Sequence, residues 1–217
     1  MDLTTVDYLL TTTRSVRKRL DLTRPIDLDT LLRCLEIAVQ APTGANLARY
    51  HFVIVLDPAT RTKLAGLYRR GIIETYLPWR SQQAAPFSEA EERFHESTMH
   101  LVEHLHEVPV HVIPCIEGRF EDRPVFYQAS RYGCILPAVW SFMLALRARG
   151  IASCWTTAHL LHEKEAAALL GIPDDMTQAA LIPVAHAVGA DFRPARRVPA
   201  AERTYWNAWG ATKLPGD

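Results

Sequence analysis

The stretch from Tyr132 to Thr157, YGCILPAVWSFMLALRARGIASCWTT, limits what this chain can become more than any other. From Cys134 to Ala148 nearly every position is apolar or small; only Ser141 and Arg147 interrupt the run, and Arg149 follows it. An ordinary surface helix shows one apolar stripe and one polar face. This segment is apolar all round, so we expect a helix enclosed on all sides, in a core or at a subunit interface. Fully burying one large apolar side chain is worth roughly 1.5–3 kcal/mol, so exposing half of such a helix forfeits on the order of 10 kcal/mol. Pro137 is read as lying near the helix start, where a missing N–H costs little. Arg147 and Arg149 suit the negative helix end, and Gly150 suits the turn beyond it. Ile151–Thr157 is then β-prone. A membrane span wants about 20 apolar residues, and Pro137 with the two arginines argues against one.

The 217 residues suffice for one good-sized domain, and 48% hydrophobic content is that of a globular core. Formal net charge is zero, which implies no broad attraction to nucleic acid. Cys34, Cys115, Cys134 and Cys154 are scattered in apolar surroundings without a CxxC. They read as buried free thiols, which fits a reducing cytoplasm. The opening MDLTTVDYLL carries an acid and no basic region, unlike a secretory signal.

Along the chain, residues 5–13 read as a short helix capped by Thr4 or Thr5, followed by a polar, basic segment at 11–20. Asp27 caps a second helix through Gln40, with apolar positions 28, 31, 32, 35, 38 and 39 at helical spacing. Ala41-Pro42-Thr43-Gly44 breaks it. Residues 51–56 form a strand, and Asp57-Pro58 opens a third helix through Tyr68. The region 69–131 is a mostly helical, lid-like excursion with a helix at 89–107, a strand at Pro109–Ile116 and a loop at 117–131. Pro109 and Pro114 are expected to limit that strand's pairing. After the central helix come a strand at Ile151–Thr157, a helix at 162–170 closed by Gly171, and a strand at Gln178–Val188. That last strand is expected to be bulged or at an edge because of Pro183. The tail 189–217 is extended, with four aromatics and little periodicity. Helices and strands mix without βαβ regularity, so the single domain 1–217 reads as α+β.

Chemistry-bearing signals are few. GxGxxG, GxxxxGK[ST] and GxSxG are all lacking. His100-Leu101-Val102-Glu103-His104 matches H-x-x-E-H, which on a helix places two imidazoles on one face. With no third ligand in view, a solvated amphipathic helix is the expected reading and no metal site is assigned. Arg14, Arg17 and Arg197 are the best-placed cations for an anionic cofactor, and Ser15 adds a hydroxyl and an N–H. Alone they read as solvated loop charges. The turn Pro42-Thr43-Gly44-Ala45-Asn46 offers an amide that donates and accepts at once, as the edge of a flavin ring needs. Alone it reads as a plain loop.

The order of these pieces raises them. Arg-Ser-x-Arg, then Ala-Pro-Thr-Gly-x-Asn after one helix, then an aromatic and a strand, resembles the nitroreductase family of FMN-dependent oxidoreductases. Pro137–Trp140 through Gly150–Trp155 look like that family's central helix and following strand. Leu170-Gly171-Ile172-Pro173, Leu181-Ile182-Pro183 and Arg196-Arg197-Val198-Pro199 are similar to its later landmarks. The TTTRSVRKRLD opening and the CWTT element resemble an actinobacterial branch. The resemblance implies a three-layer fold, a mostly antiparallel sheet flanked by helices, in an intertwined homodimer with FMN at the interface. It implies that Arg14, Ser15 and Arg17 hold phosphate and ring edge, that Pro42, Thr43 and Asn46 line the flavin, that Trp155, Thr156 and Thr157 lie near N5 and O4, and that Arg197 holds phosphate. Ala48, Ala185 and Ala195 stand where the family often has Gln, Gly and Lys.

The activity so implied is hydride transfer from NAD(P)H through flavin N5 to an electron-poor small molecule, a nitroaromatic or quinone, with no catalytic side chain. The flavin carries the electron chemistry and the protein orients it. Tyr76, Trp79, Phe87 and Phe126 are candidates for selecting the acceptor, against ordinary packing aromatics on surface helices. Rival readings are a flavin-holding or sensing protein without turnover and, more remotely, a zinc hydrolase on His100, Glu103 and His104. No nucleic-acid or membrane partner is expected.

Overall fold

Short acceptors set the helix starts in the computed structural model, which describes residues 2–189 and 191–212. Helix α1 (Leu3–Thr12) is capped by Asp2, whose carboxylate accepts the N–H groups of Thr4 and Thr5 at 3.1 and 3.2 Å. The cap is therefore Asp2 and not a threonine. Asp27 accepts Thr30 N–H at 2.8 Å and opens α2 (Leu28–Ala38). Asp57 accepts Thr60 N–H at 2.7 Å and, with Pro58, opens α3 (Pro58–Gly71). The chain does not leave the helix there. It runs through a π-helical turn at Ile72–Tyr76 into α4 (Leu77–Ser81). Ser88 and Glu91 form a reciprocal capping box at the start of α5 (Glu89–His104).

The described residues of Thr13–Ala190 make one compact unit, and those before and after it make another. In the larger unit, β1 (Leu20–Asp21), β2 (Tyr50–Val55), β3 (Val110–Glu117), β4 (Ile151–Ser153), β5 (Met176–Gln178) and β6 (Ile182–Ala187) form one sheet. Its pairings are antiparallel, in the order β1-β6-β3-β2, with β4 on β6 and β5 on β3. The prolines do not limit pairing as expected. β3 pairs with three strands, and β6 is interior rather than at an edge, pairing with β1, β3 and β4. Pro114 and Pro183 still accept through their carbonyls. Ala179 N–H donates to Pro114 O at 2.8 Å and Cys154 N–H to Pro183 O at 3.3 Å.

Successive residues of a strand point to opposite faces. Val110, Val112 and Ile116 of β3 share one core cluster with Leu31, Cys34 and Ala38 of α2 and with Ile135, Val139, Phe142 and Leu146. The alternate residues His111, Ile113 and Cys115 are equally buried on the other face, where His111 hydrogen-bonds Leu105 just after α5 and α3 packs on that same turn. The sheet is thus covered on both sides, giving the three-layer α+β arrangement.

The central helix α6 (Val125–Arg147) has 23 residues and starts at Val125, inside what reads as a loop. Pro137 is consequently interior and leaves the Gly133 carbonyl without its intrahelical donor. Within this chain α6 is not enclosed on all sides. Ile135, Ala138, Val139, Phe142 and Leu146 are buried, whereas Leu136, Trp140 and Phe126 are 36%, 38% and 74% exposed. By length and apolarity α6 could cross a membrane. Its packing against α2 and the sheet accounts for that composition. Gly150, at φ 71°, turns the chain from α6 into β4, and Gly171, at φ 66°, closes α7 (Glu163–Leu170). The strand expected over Ile151–Thr157 stops at Ser153, and Thr156 makes an isolated bridge with Leu181. The four cysteines are buried free thiols.

Gly71 packs closely on the backbone of Ala158. A Cβ there would stand 2.0 Å from the Ala158 carbonyl oxygen. Mid-helix Gly→Ala normally stabilises by about 1 kcal/mol; here the backbone clash dominates. Gly71→Ala should destabilise by about 1–3 kcal/mol, the usual cost of overpacking, read as a lower urea midpoint at unchanged slope.

Candidate functional site

Backbone pairing draws two distant segments together. Val16 N–H donates to Ser153 O at 2.9 Å, Ser15 forms a parallel bridge with Ser153, and Trp155 N–H donates to Ser15 Oγ at 3.3 Å. Ser15 is thereby set on the end of β4, against Trp155, with Arg14 and Arg17 within two residues of it in the chain. The Arg17 guanidinium lies 5.3 Å from the centre of the Phe94 ring, and its Nε is buried without a hydrogen-bond partner. Burial pushes the Cys154 thiol and the Tyr68 phenol up, and the Arg17 charge pulls both partly back. An arginine that acts on buried groups and keeps an unsatisfied donor suits an anionic ligand.

The three residues after Cys154 have different duties. Trp155 is half-buried, and its N–H is spent on Ser15. Thr156 is buried and donates both Oγ1–H and N–H to Leu181 O, at 2.8 and 3.1 Å. It clamps the strand end. Thr157 is exposed and is the hydroxyl of this segment that can face a ligand.

The turn at 42–46 is seated elsewhere, on α6. Gly44 N–H donates to Cys134 Sγ at 3.2 Å, and that thiol donates to Ser130 O at 3.2 Å. Ala45 and Asn46 both take left-handed backbone, with φ 54° and 57°, in a 3-10 turn at Gly44–Asn46. Two consecutive non-glycine residues there cost energy, which is characteristic of a functional turn. Pro42, Thr43 and the exposed Asn46 are held by this turn with no described hydrogen bond to Ser15 or Trp155. Arg197 belongs to the smaller unit.

α5 is a contributor that the sequence reading missed. Lys18 Nζ pairs with Glu96 at 2.8 Å, one residue beyond Arg17 on the loop and two beyond Phe94 on α5. Only the basic Arg17-Lys18 pair hinted that carboxylate and aromatic partners must come from elsewhere. Tyr76, Trp79, Phe87 and Phe94 form one aromatic cluster. Tyr76 stacks on Trp79 at 5.9 Å and meets Phe94 edge-on, and Arg80 lies 3.8 Å over Phe87. Phe126 lies outside it, on α6 beside Tyr127. Among the described residues no group of three or more His, Cys, Asp or Glu is arranged to hold a metal. The zinc centre weighed on His100, Glu103 and His104 therefore lacks a set of three protein ligands there.

A family model described as the Nitroreductase family matches residues 10–189. The chain belongs to the nitroreductase family. Its fold agrees with solved structures of low identity. An oxidized iodotyrosine deiodinase bound to FMN and 3-iodo-L-tyrosine is 21% identical, with 93% of this chain and 98% of that one covered at a TM-score of 0.68. A BluB-like flavoprotein from Clostridium difficile 630 is 15% identical, with coverage of 96% and 100% and a TM-score of 0.69. A variant of the FMN and NADPH-dependent nitroreductase NfnB from sphigopyxis sp. strain HMH is 21% identical, with coverage of 94% and 99% and a TM-score of 0.66. No curated protein matches the chain.

Beneath the Trp155–Thr157 segment this nitroreductase-family chain buries two imidazoles. His111 Nε2–H donates to Leu105 O at 2.9 Å, and His159 lies beside Gln178 and Glu163. Burial pushes both down to about 4, against the opposing pull of Leu105 O on His111 and of Gln178 and Glu163 on His159. Arg61 and His159 push His111 further down. Unfolded histidine titrates near 6.5, so below that pH the unfolded chain binds protons that the fold refuses. The histidines' contribution to stability should fall from pH 6.5 toward pH 4 and level off below it, by on the order of 3 kcal/mol per histidine. Thermal midpoints at pH 7.0 and 4.5 check this, and His159→Phe should shrink the difference between them.

Proposed function

We propose that the chain is an FMN-dependent oxidoreductase that passes hydride from NAD(P)H to an electron-poor acceptor such as a nitroaromatic or a quinone. The observation carrying this reading is the junction of Ser15 with Trp155. In a nitroreductase-family chain, it sets Arg14 and Arg17 beside a segment offering a hydroxyl and backbone groups. Bound FMN would supply the hydride chemistry at its N5. The residues present fit such a group: Arg17 retains a buried, unsatisfied Nε, and a guanidinium suits phosphate.

Arg14, Ser15 and Arg17 would bind phosphate and ring edge, and Arg197 would bind phosphate, as the resemblance implies. Thr157 would face the ring edge while Thr156 keeps the strand end in place. Pro42, Thr43 and Asn46 would line the flavin. Donors aimed where negative charge develops, such as an arginine or a backbone N–H, would stabilise the reduced state. The aromatic cluster of Tyr76, Trp79, Phe87 and Phe94 would select flat acceptors by stacking.

The reading extends to a homodimer. On α6, Phe126, Gly133, Leu136 and Trp140 recur at helical spacing on an exposed face, and on α2 Leu28, Leu32 and Val39 do the same. α2 packs on α6, so the two stripes lie on neighbouring helices. Large exposed apolar patches mark association sites, and a second copy of this chain would complete the enclosure that α6 lacks alone. A reducing cytoplasm suits the four free thiols.

Purified protein should be yellow, and anaerobic NADPH or NADH should bleach it, with steady turnover once a quinone is added. A colourless protein that takes up no FMN would sink the proposal. A yellow protein that neither donor bleaches would favour flavin holding without turnover. Arg17→Gln and Arg197→Ala should each weaken FMN binding about tenfold or more, the scale of one lost hydrogen bond to a charged group. Fluorescence titration measures this, with unfolding midpoints as the control for folding.

A further inference from the structure

α5 ends on two imidazoles that neither the sheet nor the Arg17 loop uses. His100 and His104 are both half-buried, on successive turns, with ring centres 4.5 Å apart. Histidines at this spacing share a helix face and can hold one ion through one nitrogen each. His104 Nδ1 lies 2.6 Å from Glu107 Oε1. The proton of that hydrogen bond belongs on Nδ1, which leaves Nε2 as the bare ligand atom. A carboxylate behind one ring nitrogen fixes the tautomer and strengthens the other nitrogen as a ligand. The pair also closes a helix of 16 residues, whose C-terminal end is negative. Glu103 adds a carboxylate nearby, and Lys18, already paired with Glu96, opposes it.

We propose that His100 and His104 form a site for one divalent transition-metal ion, with Glu107 as the positioning carboxylate behind His104. No third His, Cys, Asp or Glu among the described residues completes the set. The site is therefore open, with water in the remaining positions, unlike a structural zinc site closed by four protein ligands. Imidazole ligands suit copper, nickel and zinc, and the general order of affinities places copper(II) above zinc. The site is independent of the flavin reading, because none of its residues belongs to the proposed FMN cradle.

The test uses the full chain, as purified, titrated with copper(II) chloride and followed by electron paramagnetic resonance and calorimetry. One equivalent should bind with the hyperfine pattern of two nitrogen ligands. His100→Ala and His104→Ala should each lose that equivalent, and Glu107→Gln should weaken it about tenfold, the usual scale for an outer partner of a metal ligand. Metal-free unfolding midpoints check the fold, and His104→Gln replaces His104→Ala if the latter does not fold. Equal copper affinity in the wild type and either histidine variant overturns the site. Equal affinity in Glu107→Gln overturns the role given to Glu107.

Discussion

A strand buried on both faces must be covered on both, and β3 sets that requirement here. Val112 and Ile116 on one face and Ile113 and Cys115 on the other are all essentially inaccessible. One side is met by α2 and α6; on the other, His111 meets the turn after α5, on which α3 packs. Each large side chain so buried contributes roughly 1.5–3 kcal/mol, so the layers are not free to slide. The close approach of Gly71 to Ala158 follows from this, because the covering layer must also reach the segment after Trp155. Burial of His111 and His159 follows too: they lie within the covered face and remain neutral there.

The candidate site depends on the same constraint by way of β4. Packing puts Ser153 at a sheet position where its carbonyl accepts Val16 N–H, and this holds the arginine-bearing loop on the end of the strand. Lys18 and Arg17 then reach α5, tying the loop to the layer that carries the aromatic cluster. A loop bound on two sides can hold a guanidinium in place at low entropic cost, which is what a preorganised anion cradle requires.

Local signals were read well because their causes are local. Asp27 and Asp57 are acceptors within a few residues of the N–H groups they satisfy, and Gly150 and Gly171 take a backbone conformation that side chains resist. Prolines were read poorly for the complementary reason. Pro114 and Pro183 lack a donor but keep an acceptor, and Ala179 and Cys154, distant in sequence, use it. Pro137 stands inside α6 because burial on both sides of it outweighs one missing hydrogen bond. The start of α6 at Val125 was hidden because Phe126, Tyr127 and their neighbours are exposed in the protomer and carry no core pattern.

By itself the sequence determined the α+β class, the Asp27 and Asp57 caps, the free thiols and the family, since each rests on residue type, short spacing or the order of motifs. Only the tertiary structure decided that Ser15 meets Trp155, that Thr156 is spent on Leu181, and that Phe94 and Glu96 flank the arginine loop. These contacts join residues tens of positions apart. Their partners are chosen by how the layers pack, and packing is a property of the whole chain that no short stretch encodes.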